Sequence, residues 1–198
     1  MKIKAIFCDL GGVLVVNKAK EIGEKYEKSD GLTPEMTRKV FRFIQTAKRT
    51  NEDIYEYLRS ENISQEVWER FVKEFYASES RNDSLIEIIY KAKGNGILII
   101  FTTNNSDAVI IGVKKYNIEG LADRIVNSSE LGVAKPDKEY WEAAFKEARK
   151  FIPDLKPEEI LVIDDSKTNY QSATDYGYKA YKYVNDQKSI EEISNLIY

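Results

Sequence analysis

The chain reads as an α/β protein, a parallel sheet with helices on both faces, interrupted once by a block of helices. Four short apolar runs stand apart: "IKAIFC" (3–8), "GILIIF" (96–101), "ILVID" (160–164) and "KAYKYV" (179–184). A weaker run, "RIVNS" (124–128), falls between the second and third. Segments with helical periodicity separate them. Strands that alternate with helices of this length pair in parallel, because each crossover lays a helix back on the sheet. Residues 16–84 break the rhythm: they hold no strand pattern, only successive amphipathic helices. The expected organisation is a three-layer core, residues 1–15 and 85–198, with a helical unit, 16–84, inserted after the first strand.

Element by element, the first strand ends on Asp9 and is followed at once by Leu10-Gly11-Gly12. In the insert, "TPEM" (33–36) supplies Thr33 as an N-cap and Pro34 at the first helical position. Met36, Val40, Phe43 and Ala47 then share one face. Thr50 with Asp53 starts a second helix carrying Ile54, Tyr57 and Leu58. Ser64 starts a third, with Trp68, Phe71, Val72 and Phe75. Beyond 101, Val109, Ile110 and Val113 keep helical spacing, as do Trp141, Ala144, Phe145 and Ala148 beyond 136, where Pro136 suits a first turn. The chain closes with "SIEEISNLIY", in which Ser189 and Glu192 fit a capping box.

Composition narrows the chemistry. With 198 residues the chain can bury about 70% of the surface it exposes when unfolded. Thirty basic residues face thirty-three acidic ones, a net charge of -3, so no excess of positive charge is present to displace counterions from nucleic acid. One cysteine, Cys8, excludes an intrachain disulfide and fits a reducing compartment; alternation turns it away from Asp9, as a buried apolar residue. Met1-Lys2-Ile3-Lys4 leads straight into a strand, with no signal peptide read, and "ILIIF" (97–101) is too short to span a bilayer. The expectation is a soluble cytoplasmic protein, a monomer or a homodimer. There is no histidine, which removes Ser-His and Cys-His triads, His-ligated zinc and histidine phosphorelay. Acid–base work falls to carboxylates, lysine, tyrosine, cysteine or water.

In an open parallel sheet, ligands gather beyond the carboxyl ends of the strands. Those ends carry Asp9, "TTNN" (102–105), and Asp164-Asp165, and Lys135 stands in "GVAKPD" before a helix. The set suits attack by a carboxylate on a phosphate. Magnesium held by Asp9 and Asp165 offsets the charge repulsion, and Lys135 adds a cation beside nucleophile and substrate. The Thr103 hydroxyl and the backbone near Gly11 and Asn104 can donate to phosphoryl oxygens, and glycines after Asp9 let that backbone approach closely. Arg38 and Arg42, one helical turn apart, read as a solvated face rather than an anion site.

In order, "CDLGGVLV", "FTTNN", "GVAKPD" and "VIDDSKTN" resemble the four motifs of the haloacid dehalogenase superfamily, over most of the chain. The resemblance implies a Rossmann-like parallel-sheet core with an inserted helical cap, 16–84, that closes over a substrate. It implies Asp9 as nucleophile, Thr103 with Asn104 as the second motif and Lys135 as the third. Gly11, Gly12, Thr103 and Asn104 then bind the substrate. Asp9, the Gly11 carbonyl, Asp165 and its neighbour Asp164 are the magnesium set, with Asp165 favoured over Asp164. Asn169 stands where many members carry a further acid. The implied activity is a magnesium-dependent phosphatase acting on a small phosphate ester, a sugar phosphate for example, through an aspartyl-phosphate.

Position 11 departs from that pattern. Phosphatases of the family usually carry a second aspartate there, which protonates the departing alkoxide; glycine cannot. Three readings follow: a phosphatase whose substrate or another residue makes good the loss, a metal-free 2-haloacid dehalogenase, and a non-catalytic binding protein on the same scaffold. The retained Asp164-Asp165 pair favours the first.

Overall fold

The computed structural model describes residues 2–107 and 109–198. Five strands form the parallel sheet: β1 (Ala5–Cys8), β4 (Leu98–Thr103), β5 (Arg124–Asn127), β6 (Ile160–Asp164) and β7 (Lys179–Lys182), in the order β5-β4-β1-β6-β7. A two-residue antiparallel ladder, β2 (Val15–Val16) with β3 (Ser80–Arg81), stands apart from it. Ten α-helices complete the described fold. Four lie between β2 and β3: α1 (Ala19–Asp30), α2 (Pro34–Gln45), α3 (Asn51–Ser60) and α4 (Gln65–Ala77). Then come α5 (Asp83–Gly94), α6 (Val109–Lys115), α7 (Ser128–Leu131), α8 (Lys138–Arg149), α9 (Lys167–Tyr176) and α10 (Gln187–Ile197).

Strand alternation splits the core into two layers. Ile6 and Cys8 of β1 point with Ile99 and Phe101 of β4 and Leu161 and Ile163 of β6 toward α5, α6 and α10. Ala5, Phe7, Leu98, Ile100, Ile160 and Val162 point the other way, onto Tyr140, Trp141 and Ala144 of α8 and Ala173 of α9. The sheet is thus apolar on both sides, as an all-parallel sheet must be. A third cluster gathers Ile22, Tyr26, Val40, Leu58, Trp68 and Phe71 from α1–α4. No helix among the described residues is long and apolar enough to cross a membrane.

Several local expectations are corrected. The strand from the second run continues to Thr103, because Thr102 and Thr103 pair with Val126 and Asn127 of β5. Helix α1 has only Ile22 and Tyr26 buried, too few apolar positions to reveal its period. The β2–β3 ladder is too short to leave an alternating pattern. Helix α2 stops at Gln45, so Ala47 lies beyond it, and Phe43 stacks on Tyr57 at 4.1 Å. Ile110 is exposed while Val109 and Val113 are buried. Pro136 precedes α8, whose N-cap is Asp137. Ser189 is the third residue of α10, not its cap; its N–H donates to Asp186 at 2.8 Å. The Thr33, Thr50 and Ser64 caps form as read.

The topology positions the site. Chain order runs outward from β1 to β4 and β5, then returns to the far side of β1 for β6 and β7. Strand order reverses at β1, and the crevice beyond the carboxyl ends at such a reversal is where α/β sheets hold ligands. Asp9, one residue past β1, is at that point.

Candidate active site

Asp9 is anchored first by its backbone: its N–H donates to the Ile163 carbonyl at 2.9 Å, extending the β1–β6 pairing one residue past the strand. One carboxylate oxygen, Oδ1, accepts the N–H of Leu10 at 2.7 Å. The other, Oδ2, lies 3.1 Å from the Lys135 ammonium. Lys135 reaches in from the loop before α8 and is buried. Its Nζ is 2.6 Å from Asp164 Oδ2 and donates to the Thr102 carbonyl at 2.8 Å. The last residue of β6 and the end of β4 therefore share one cation with Asp9.

The backbone of Lys135 is clasped as well. Its N–H donates to Asn104 Oδ1 at 2.8 Å, and its carbonyl accepts from Asn104 Nδ2 at 2.8 Å. The Asn104 side chain is thus committed to orienting Lys135. The carbonyl also accepts from Arg42 Nη1 at 3.2 Å, and Arg42 Nη2 is 2.6 Å from Asp137. Arg42 is exposed, as expected of a solvated face, and it also ties α2 to the loop that carries Lys135. Arg38 is exposed, with its Nε on the Pro34 carbonyl.

The adjacent acids behave differently. Asp164 is buried, and besides Lys135 it accepts from the Ser166 N–H at 2.9 Å and from Asn169 Nδ2 at 3.1 and 3.2 Å. Asp165 packs over Gly12, whose φ of 78° is left-handed. A Cβ at Gly12 would come within 2.6 Å of the Asp165 carboxyl carbon. Gly12→Ala therefore adds about 1–2 kcal/mol of backbone strain and pushes that carboxylate aside. A lower melting temperature is expected in thermal melts; an unchanged melting temperature would contradict this packing of Asp165 over Gly12. Gly11 is exposed, and a Cβ there meets nothing within 4 Å. Thr103 ends β4 and is buried, its carbonyl accepting from the Tyr140 hydroxyl at 3.4 Å.

Three carboxylates and one ammonium make a net negative cluster. Burial, the largest influence, pushes the Asp9 carboxyl up to about 8; Lys135 opposes this, while Asp164 and Asp165 reinforce it. Burial also raises Asp165, as does Asp164 beside it. Burial acts against the Lys135 charge, but Asp164 and then Asp9 outweigh it and hold the ammonium above its ordinary range. The shorter contact holds the Lys135 ammonium chiefly at Asp164, so it offsets the burial of Asp9 only in part. A group whose folded-state pKa is raised adds stability at low pH and loses it as pH climbs. For Asp9 the window runs from its ordinary 3.8 to about 8. Without divalent metal, stability is expected to fall over that window. Since a ligating carboxylate must shed its proton, stabilisation by magnesium should grow over the same range. Melts at stepped pH, with magnesium or with chelator, check both.

The donor set fits a hard cation. Oxygens of Asp9, Asp164 and Asp165 all lie within 4.8 Å of one another, and carboxylate oxygens are what magnesium prefers.

The chain belongs to the haloacid dehalogenase-like hydrolases: the family model matches residues 3–177. No curated protein matches. Solved structures share the fold. A predicted HAD-like hydrolase from Porphyromonas gingivalis aligns with TM-score 0.77 and 19% identity over 100% of this chain and 98% of its own. The HAD family enzyme BT-2542 from Bacteroides thetaiotaomicron, in complex with magnesium and inorganic phosphate, aligns at 0.69 and 20%, covering 93% and 96%. The L-2-haloacid dehalogenase RSc1362 aligns at 0.64 and 13%, covering 100% and 99%.

Proposed function

We propose that this chain is a magnesium-dependent phosphatase that hydrolyses a small phosphate monoester through an aspartyl-phosphate on Asp9. The observation that carries the reading is the buried Asp9 carboxylate at the sheet's reversal point, within 3.1 Å of Lys135 and in reach of two further carboxylates. Three clustered acids around one ammonium leave negative charge over, and a phosphate dianion would add more. Such a site calls for a divalent cation. Asp9 and Asp165, with the Gly11 carbonyl, would hold it, because Asp164 is already engaged by Lys135, Ser166 and Asn169. Bound there, magnesium offsets charge on the phosphoryl oxygens and polarises them toward attack.

The chain's own groups supply the rest. Lys135 keeps the Asp9 carboxylate oriented and lowers the repulsion between it and the phosphate. The Gly11 and Asn104 backbone N–H groups, with the Thr103 hydroxyl, donate to the phosphoryl oxygens, since the Gly12 N–H is taken by the Val15 carbonyl and those of Asn105 and Ser106 by Ser128 Oγ and Asn105 Oδ1. Asp9 attacks phosphorus, and water then attacks the aspartyl-phosphate and restores the carboxylate. The insert, residues 16–84, acts as the cap over the substrate, and Arg42 latches it to the Lys135 loop. A small-molecule ester, rather than nucleic acid or a membrane, is the partner.

A panel of phosphate esters, assayed with magnesium and with chelator, tests the reading. Phosphate release that depends on magnesium is expected. No release from any ester with magnesium contradicts it, and metal-independent chloride release from 2-chloropropionate would assign the nucleophile to dehalogenation instead.

A further inference from the structure

Beside the nucleophile loop lies a cleft of about 310 Å³, at the small end of the range for small-molecule sites. Leu10 and Gly11 form the wall next to Asp9, Val109, Val113 and Tyr116 face them, and Tyr76 from the end of α4 closes the side toward the insert. The cleft reaches the Asp9 loop through Leu10 and Gly11, the two residues that follow Asp9. The walls are apolar and aromatic, and they offer little acid. Among the described residues that line the cleft, Glu79 is the one carboxylate. It accepts from the Tyr116 hydroxyl at 2.8 Å and sits 3.7 Å from the Lys115 ammonium, so its charge is already matched. Burial raises the Tyr76 and Tyr116 phenols, and contact with Tyr116 and Glu79 raises Lys115, so these hold their protons more tightly than in water. Gly11, two residues past Asp9 and on the cleft wall, has no side chain.

A departing alkoxide needs a proton in the transition state, and general acid help is worth about 10²–10⁴-fold. A phenoxide, whose conjugate acid titrates near 10, leaves without it. We propose, building on the phosphatase reading, that the preferred substrates are aryl phosphates, or esters with an equally weakly basic ring oxygen, whose ring occupies the Leu10–Tyr116 cleft. In the first step an Asp9 oxygen bonds to phosphorus, and the phosphorus–oxygen bond to the ring breaks with its electron pair on the phenoxide. In the second, water adds to phosphorus; Asp9 regains its carboxylate, and both water protons stay on the phosphate released as the monoanion.

Binding and turnover both test this. With magnesium present, phenylphosphonate is expected to bind at least ten-fold more tightly than methylphosphonate in calorimetry; equal affinity would overturn the cleft assignment. Phenyl phosphate should exceed alkyl phosphates of matched size by 10² or more in kcat/KM. In Gly11→Asp, where the new side chain has open space, that ratio should narrow at least ten-fold. Alkyl esters turned over as fast as aryl esters by the wild type would overturn the proposal and leave the phosphatase reading intact. Silence toward both classes with magnesium would overturn the phosphatase reading and this proposal with it.

Discussion

Asp9→Asn is expected to abolish phosphate release, by a factor on the order of 10⁴ or more, as loss of a covalent nucleophile does. The amide keeps the size of the carboxylate and cannot bond to phosphorus. The same change should leave the fold intact and improve one property. In the metal-free protein Asp9 is pushed up to about 8, so ionising it costs stability as pH rises. An asparagine at this position does not titrate, so the variant's melting temperature should stay flatter than that of the wild type between about pH 4 and 8. A dead variant that melts higher than the wild type near pH 8 separates loss of the nucleophile from loss of the fold. Residual turnover near the wild-type level would remove Asp9 from the chemistry.

Lys135→Met should cost both activity and stability. Methionine fills similar space but leaves Asp164 and Asp9 buried without their cation, and the Thr102 carbonyl without its donor. Removing one partner of a buried ion pair costs about 3–5 kcal/mol, which urea unfolding would read as a lower midpoint at an unchanged slope. Turnover should fall as well, because Asp9 loses the group that orients it. A loss of stability under about 1 kcal/mol would mean that the buried carboxylates do not depend on Lys135.

Much of this arrangement was legible from local signals. The apolar runs marked the five strands, and a parallel sheet puts their carboxyl ends on one edge, so Asp9, Thr103 and Asp164-Asp165 were bound to assemble there. Contacts made across long stretches of chain were not legible. Arg42 meets the Lys135 carbonyl 93 residues away, and on its own helix it looks like any exposed arginine. Asn104 is expected from the resemblance to bind the substrate, and its side-chain amide meets the Lys135 backbone at both ends, a contact 31 residues away in sequence. Asp164 and Asp165 are chemically identical in sequence; burial against Lys135 and Asn169 distinguishes one, and packing over Gly12 the other. The α10 start went astray for a simpler reason. Asp186 and Ser189 are both good caps three residues apart, and the backbone follows Asp186.

The central claim is that phosphorus becomes covalently attached to Asp9. Acid-quenching the magnesium-loaded protein during turnover of an aryl phosphate, followed by mass analysis of the peptide around "CDLGG", tests it directly. The account predicts one phosphoryl group on Asp9, absent without magnesium and absent in Asp9→Asn. Steady phosphate release with Asp9 unmodified at every quench time, or with the phosphoryl group on another residue, would contradict it.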